Sequence, residues 1–227
     1  MLYLFFFGSS ITVFYLLYKY LFIYQHYNGI HYPKYRMFDK YVRKYNKALI
    51  KLGLLNLNKK NAYDLLNNVH DIFNKYNTFF WLSEGTALGF FRNNDFIDYD
   101  DDVDIGLFID SKDNFIQYIL PELVNKGFII TRIDVDRDSS TNKHGKQAFI
   151  SMNYLNISLD IDIVGLGYRT VATGNNIDSI YILPYLQKFK KIIIGKNIFY
   201  IPLEPYYVFL YGRNYMTPIK NKKPTGF

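Results

Sequence analysis

The sequence predicts an α/β (α+β) domain in which helices flank a mixed β-sheet. Amphipathic segments with helical spacing alternate with short apolar segments, and neighbouring strand-like segments follow one another in the second half of the chain. With 227 residues, 49% of them hydrophobic, the chain can bury a core of ordinary size. It contains no cysteine, which excludes a disulfide scaffold and a thiolate zinc site.

The N-terminal segment predicts a membrane anchor. Leu2–Tyr18 contains no charged residue, and Lys19 is the one charge before Tyr24. As a helix this stretch would extend roughly 34 Å, which is enough to cross a bilayer core of about 30 Å. We therefore expect a transmembrane signal-anchor helix over residues 1–25, followed by a basic stem over residues 26–60. A buried N-terminal helix is the alternative.

Residues 61–227 are expected to form the folded domain. Its first element is a helix over Ala62–Tyr76, because Leu65, Val69 and Ile72 fall at spacings of three and four. The other predicted elements are, in chain order, a strand at Thr78–Leu82, a helical turn at Thr86–Phe91, a strand at Val103–Ile109, a helix at Lys112–Lys126 with a break at Pro121, strands at Phe128–Asp134, Gln147–Asn153 and Ile157–Val164, a hairpin of Ile192–Gly195 with Asn197–Ile201, and a helix at Leu203–Tyr211 that ends at Gly212.

A run of aspartates marks the entrance to the strand Val103–Ile109. Its members are Asp98, Asp100, Asp101, Asp102 and Asp104, and no basic residue accompanies them. Because like charges at a strand entrance repel one another, the run predicts a neutralising cation. Side chains alternate along a strand, so three of the five point to one side, at positions 100, 102 and 104. Carboxylate oxygens of this kind suit a Mg²⁺ or Mn²⁺ ion that also binds phosphate.

Two further features belong to this predicted site. Gly85 and Thr86 begin a helical turn, where backbone N–H groups can approach a phosphate closely. The apolar strand Ile157–Val164 carries Asp160 and Asp162 on one face, and either could supply a third carboxylate. A half-exposed strand with two surface aspartates is the alternative.

Three segments resemble motifs of the LicD/fukutin family, within the nucleotidyltransferase superfamily. They are Trp81-Leu-Ser-Glu-Gly85-Thr-Ala-Leu-Gly89-Phe-Phe-Arg92, then Asp101-Asp-Val-Asp-Ile-Gly106, then Pro202–Pro218 with its Leu210-Tyr-Gly212 core. They occur in the family's order over about Ala62–Pro218 and imply a nucleotidyltransferase-like fold. The chain departs from the family in two places: Glu84 replaces a frequent glycine, and Ile97-Asp98-Tyr99 replaces a frequent Ile-Pro-Trp.

The resemblance implies transfer of a phospho-alcohol, such as phosphocholine or ribitol phosphate, from a CDP-activated donor to a glycan or glycoprotein, with Mg²⁺ or Mn²⁺ as cofactor. It implies Asp102, Asp104 and Asp162 as catalytic residues. It implies a metal site of Asp100, Asp102, Asp104 and Asp162, with Asp160 the less favoured third carboxylate. It also implies donor-phosphate contacts at Gly85, Thr86, Gly89 and Arg92.

Charge and flanking sequence give expectations about partners and localisation. The net charge of +7 fits an acidic partner, but the aromatic richness accompanies abundant Asn, Ile and Lys, so no nucleic-acid partner is expected. The resemblance implies a single-pass ER or Golgi protein with a luminal catalytic domain, whereas the lysines and arginines after the predicted span favour the opposite orientation. Rival functions are nucleotide transfer to another hydroxyl, a glycosyltransferase, and an inactive membrane-bound scaffold for glycosylation enzymes.

Overall fold

The computed structural model describes residues 23–27, 30–34, 57–137, 146–172 and 175–218. Within these ranges the predicted mixed α/β architecture is confirmed, with helices flanking a mixed sheet. The strands are β1 Ile23–Tyr27, β2 Ile30–Lys34, β3 Trp81–Leu82, β4 Asp102–Phe108, β5 Ile129–Arg137, β6 Lys146–Tyr154, β7 Ile157–Val164, β8 Tyr168–Ala172, β9 Asn175–Asp178, β10 Phe189–Ile194 and β11 Asn197–Pro202. The helices are α1 Lys59–Lys75, α2 Glu84–Asn93, α3 over 112–125, α4 Ser179–Ile182 and α5 Glu204–Tyr211.

Seven strands form the central sheet. The order is β3-β4-β7-β6-β8-β9, and β5 pairs with β6. Strands β4 and β7 run parallel and lie next to each other, whereas β3 is antiparallel to β4 and β6 is antiparallel to β7. Strands β10 and β11 form a separate antiparallel hairpin. The parallel β4–β7 pair places the two aspartate-bearing strands side by side.

Helix α1 covers one face of this sheet. It begins three residues earlier than predicted, because the Asn58 side chain accepts a hydrogen bond from the Asn61 N–H and caps the first turn. Its apolar stripe is fully buried against the core. The stripe consists of Ala62, Leu65, Leu66, Val69, Ile72 and Phe73. The alternate residues of β4, Val103, Ile105 and Leu107, are also fully buried, so the opposite face of β4 is left for the aspartates.

The break predicted at Pro121 takes the form of a π-helical segment within α3. Lys112–Asn114 and Leu120–Asn125 are α-helical, and Phe115–Ile119 between them is π-helical. A proline cannot donate its backbone nitrogen to the preceding turn, so the wider π turn accommodates the missing hydrogen bond without ending the helix.

The C-terminal part follows the prediction closely. Strands β10 and β11 join through Gly195 and Lys196, with Gly195 in the left-handed region at a φ of 61°. Helix α5 ends at Gly212, which also has a positive φ. Strands β8 and β9 and helix α4 were not predicted, because they are short and lack a clear apolar period.

The prediction of a single-pass membrane protein with an ER or Golgi lumenal domain is corrected by the structure. Among the described residues, every helix is too short or too polar to cross a bilayer. The end of the predicted anchor helix is instead strand β1, which pairs antiparallel with β2 in the predicted basic stem. The prediction rested on apolar length, and a run of apolar and aromatic residues suits a strand as well as a helix. The rest of that segment, residues 1–22, lies outside the described residues.

Candidate functional site

Three of the predicted carboxylates converge at the start of β4. Asp100, Asp102 and Asp104 each present one oxygen, and these oxygens all lie within 4.8 Å of one another. The alternation of side chains along the entry to β4 brings them to one side, as the sequence indicated. Asp98 stands apart from the three, because Lys59 Nζ lies 2.6 Å from its carboxylate. Lys59 also binds Asp95 at 2.7 Å, so this lysine ties the acidic loop to the start of α1.

Strand β7 brings the two remaining predicted carboxylates to the same face. In the parallel β4–β7 register, Asp160 pairs with Asp104 and Asp162 pairs with Gly106. Asp160 is therefore the β7 carboxylate beside the three aspartates, and it accepts a hydrogen bond from the Ser158 hydroxyl at 3.2 Å. Asp162 is buried two residues further along β7, where it lines a small cavity together with Glu84 and Tyr206.

The start of α2 is fastened directly to the aspartate cluster. The buried Thr86 hydroxyl accepts a hydrogen bond from the Asp104 backbone N–H at 2.9 Å. Gly85 lies so close to Asp100 that a Cβ atom there would be 2.3 Å from the Asp100 Oδ2. The Gly85-Thr86 pair thus positions two of the three carboxylates, one through a hydrogen bond and one by leaving room for it.

The other two residues predicted to contact donor phosphate lie further along the same helix. Gly89 faces the backbone of the acidic loop, since a Cβ atom there would lie 2.6 Å from the Asp95 carbonyl oxygen. The spacing of four and then three residues places Gly85, Gly89 and Arg92 on one face of α2. The Arg92 Nε is buried and has no hydrogen-bond partner among the described residues, so an anionic ligand would satisfy it.

Crowding and burial disfavour the ionised form of the clustered carboxylates. Desolvation raises the pKa of Asp100 well above its usual range, and the charges of Asp102 and Asp101 raise it further. Desolvation likewise raises the pKa of Asp104, followed by the charges of Asp102, Glu84, Asp100 and Asp160. A bound cation would oppose both effects, because its positive charge beside the partly buried carboxylates stabilises their ionised form.

Two tyrosine side chains near the cluster, those of Tyr206 and Tyr211, were not predicted from the sequence. The Tyr206 hydroxyl accepts a hydrogen bond from the Glu84 backbone N–H at 3.3 Å, and it lies 3.4 Å from the Ser83 Oγ. Burial raises the pKa of Tyr211, and the carboxylates of Glu84, Asp104 and Asp100 contribute to that increase, so its hydroxyl lies near the cluster. Tyr211 belongs to the Leu-Tyr-Gly core of the third motif, which was the available signal for it.

Glu84 itself has an unusual backbone. Its φ is 41°, in the left-handed region that favours glycine. This is the position where the related family frequently has glycine, so the departure noted in the sequence coincides with a strained residue. Strain of this kind persists where surrounding structure enforces it and often marks a functional position.

The chain is similar in sequence to a known protein family and to individual proteins. Residues 77–188 match the family model of the LicD/FKTN/FKRP nucleotidyltransferase domain. An uncharacterized protein of Rickettsia typhi is 37% identical over 68 residues, which cover 30% of this chain and 22% of that protein. The human ribitol-5-phosphate transferase FKTN is 45% identical over 51 residues, which cover 22% of this chain and 11% of that protein.

Comparison with solved structures gave weaker similarity. The solution structure of the antibiotic-resistance factor ANT(2'')-Ia has a TM-score of 0.43 and 12% identity, covering 66% of this chain and 70% of that one. A crystal structure of ANT(2")-Ia with adenylyl-2"-tobramycin has a TM-score of 0.37 and 11% identity, covering 63% and 69%. The match over residues 77–188 contains the Gly-Thr turn, the aspartate cluster and the two aspartate-bearing strands β4 and β7. This part of the chain belongs to the LicD/FKTN/FKRP family of nucleotidyltransferase domains.

Proposed function

We propose that this protein is a metal-dependent phosphotransferase that moves a phospho-alcohol from a CDP-activated donor to a glycan hydroxyl. Family membership and the similarity to a ribitol-5-phosphate transferase indicate a phosphate-group transferase in glycan modification. The observation that supports the proposal most directly is the convergence of Asp100, Asp102 and Asp104 beside the N-terminal turn of α2. Phosphocholine and ribitol phosphate are the donor groups to test first.

The donor set fits a hard divalent cation. Oxygens bound to one Mg²⁺ ion at about 2.1 Å lie within roughly 4.2 Å of each other. The three aspartate oxygens all lie within 4.8 Å of one another, which is close to this spacing. We propose Asp100, Asp102 and Asp104 as ligands of Mg²⁺ or Mn²⁺, with Asp160 or Asp162 as the additional carboxylate. Such an ion would neutralise charge on the donor diphosphate.

The residues of the chain have distinct roles in this proposal. Thr86 holds the backbone of Asp104, and Gly85 leaves the space that Asp100 occupies. Arg92 pairs with a donor phosphate oxygen through its buried guanidinium edge. The acceptor hydroxyl attacks the phosphorus distal to the nucleoside, a new P–O bond forms, the phosphoanhydride bond breaks and CMP leaves. A carboxylate of β7, Asp162 or Asp160, takes the hydroxyl proton.

A donor screen by mass spectrometry tests the proposal. The protein is incubated with CDP-choline, CDP-ribitol and nucleoside triphosphates, each with a glycan acceptor and with Mn²⁺ or Mg²⁺. We expect CMP release and a phospho-alcohol adduct on the glycan, which Asp102→Asn and Asp104→Asn should both abolish while the unfolding midpoint stays at or above that of the wild type.

Other results would redirect the assignment. Transfer of a nucleotide from a triphosphate would identify a nucleotidyltransferase with another hydroxyl acceptor. Absence of turnover together with absence of Mn²⁺ binding would support a non-catalytic scaffold. Full activity in Asp102→Asn or Asp104→Asn would refute the role given to the cluster.

A further inference from the structure

A second cleft opens at the start of β3, whereas the aspartates lie beyond the end of that strand. It lies between the end of α1, the segment leading into β3 and strand β11, and its volume is about 210 Å³. Ser83 is the residue of this segment that binds Asp104, through its backbone N–H. Phe80, which lines the cleft, comes three residues before Ser83. Because an extended chain rises about 3.3 Å per residue, Phe80 lies roughly 10 Å further from the cluster than Ser83 does. The cleft is therefore separate from the site described above.

One wall of the cleft is polar. It is formed by His70, Asn74 and Asn77, where α1 ends and the chain turns. The Asn74 Nδ2 lies 3.1 Å from the His70 Nε2, one helical turn away, so the two groups stand together on one face of the helix. Asn77 has a φ of 49° and turns the chain toward β3. These carboxamides and the imidazole supply both hydrogen-bond donors and acceptors.

The opposite wall is apolar and aromatic. Phe79 remains 38% exposed although its ring contacts Trp81, Phe108, Phe189 and Tyr200. Ile198 on β11 is 49% exposed. An aromatic ring held by neighbouring rings on one side presents a rigid apolar face on the other.

The charge of the lining limits the ligand. Among the described residues, the nine that line the cleft include no lysine, arginine, aspartate or glutamate. A phosphate, carboxylate or ammonium group would lose its hydration there without a counter-charge. The volume is also smaller than the roughly 300–1,000 Å³ of pockets that enclose drug-sized ligands. The occupant that fits is small and neutral, with an apolar face and a rim of hydroxyl groups.

We propose that this cleft binds one neutral saccharide ring, whose C–H face packs on Phe79 while its hydroxyls bond with Asn74, Asn77 and His70. Binding there is independent of the transfer reaction, since neither the donor nor a metal ion takes part. In the intact protein the cleft would hold a sugar unit at a distance from the aspartates. A glycan with one sugar unit in the cleft would bind the protein through contacts that do not involve its reacting hydroxyl.

Methyl NMR tests the proposal in the intact chain without donor or divalent metal. The protein carries ¹³C-methyl isoleucine and is titrated with glucose, galactose and N-acetylglucosamine. We expect a saturable shift of the Ile198 methyl resonances with at least one sugar. Phe79→Ala and Asn74→Ala should each weaken binding at least tenfold, which is about 1.4 kcal/mol. Asn74 is exposed, so Asn74→Ala should leave stability unchanged. Phe79 is 38% exposed and packs on neighbouring rings, so Phe79→Ala should lower stability without unfolding the protein.

Tyr181→Ala is the matched control, because Tyr181 is a 61% exposed aromatic residue outside the cleft, and binding should be unchanged. Asp104→Asn should also leave sugar binding unchanged, which separates this proposal from the proposed transferase activity. The saccharide assignment is overturned if none of the three sugars gives a saturable shift, if Phe79→Ala binds as tightly as the wild type, or if cytidine displaces the sugar.

Discussion

Gly85→Ala should damage the candidate site while leaving the fold intact. The new Cβ atom would lie 2.3 Å from the Asp100 Oδ2, and contacts below 3.0 Å essentially do not occur, so that oxygen must retreat by about 0.7 Å or more. Misplacement of a reacting group by about 1 Å costs as much as 100-fold in rate. We therefore expect kcat/KM to fall roughly 10- to 100-fold, which is about 1.4–2.7 kcal/mol of transition-state stabilisation. Alanine is the better helix former by up to about 1 kcal/mol, so the free energy of unfolding should not fall.

The assay combines turnover, Mn²⁺ affinity by electron paramagnetic resonance, and urea unfolding. Asp100→Ala provides the control, alone and combined with Gly85→Ala. If the methyl group acts by displacing Asp100, it should have little further effect once that carboxylate is absent, so the two changes will be non-additive. Wild-type turnover and Mn²⁺ affinity in Gly85→Ala would show that the position of Asp100 does not matter and would refute the reasoning.

Three further predictions concern stability. Because folding raises the pKa of Asp104 well above its usual range, the metal-free protein should become more stable as the pH falls through the raised pKa toward the usual carboxyl range. Asp104→Asn should raise the urea midpoint at pH values above the raised pKa and should flatten this dependence. A variant with the same pH profile as the wild type would contradict the raised pKa of Asp104. Gly106→Ala should lower the free energy of unfolding by about 1–3 kcal/mol, since the new Cβ atom would lie 2.0 Å from the Cε2 of Trp81. Trp81 is the one tryptophan of the chain, so tryptophan fluorescence will report its displacement. An unshifted spectrum at wild-type stability would contradict this packing. Glu84→Gly should stabilise the protein by about 1 kcal/mol, because glycine adopts the left-handed φ of this position without strain. Urea unfolding measures the change. A lower urea midpoint would mean that contacts of the Glu84 side chain outweigh the backbone strain.

Most of the secondary structure near the site could be predicted from local signals. The stripe of α1, the turn at Gly195 and Lys196, and the stop at Gly212 each rest on residues close together in the chain. The N-terminal segment shows the limit of this approach. Apolar length predicted a membrane-spanning helix over residues 1–25, whereas its described end belongs to the strand Ile23–Tyr27. Apolar length alone does not distinguish the two, because pairing partners decide whether a short apolar segment becomes a strand.

Around the aspartate cluster, too, local patterns predicted some positions and only the packing of the strands decided others. Alternation along β4 was enough to place Asp100, Asp102 and Asp104 on one side. Whether Asp160 or Asp162 stands beside Asp104 depended on the β4–β7 register, which no local pattern specifies.

By itself the sequence determined which strand entrance concentrates negative charge, since side-chain alternation acts over a few residues. Only the tertiary structure decided what surrounds that charge. It placed Asp160 opposite Asp104, the Thr86 hydroxyl on the Asp104 backbone and the Tyr206 hydroxyl at the start of α2. These contacts join residues far apart in the chain, and their positions follow from how the sheet and the helices pack together rather than from any local preference.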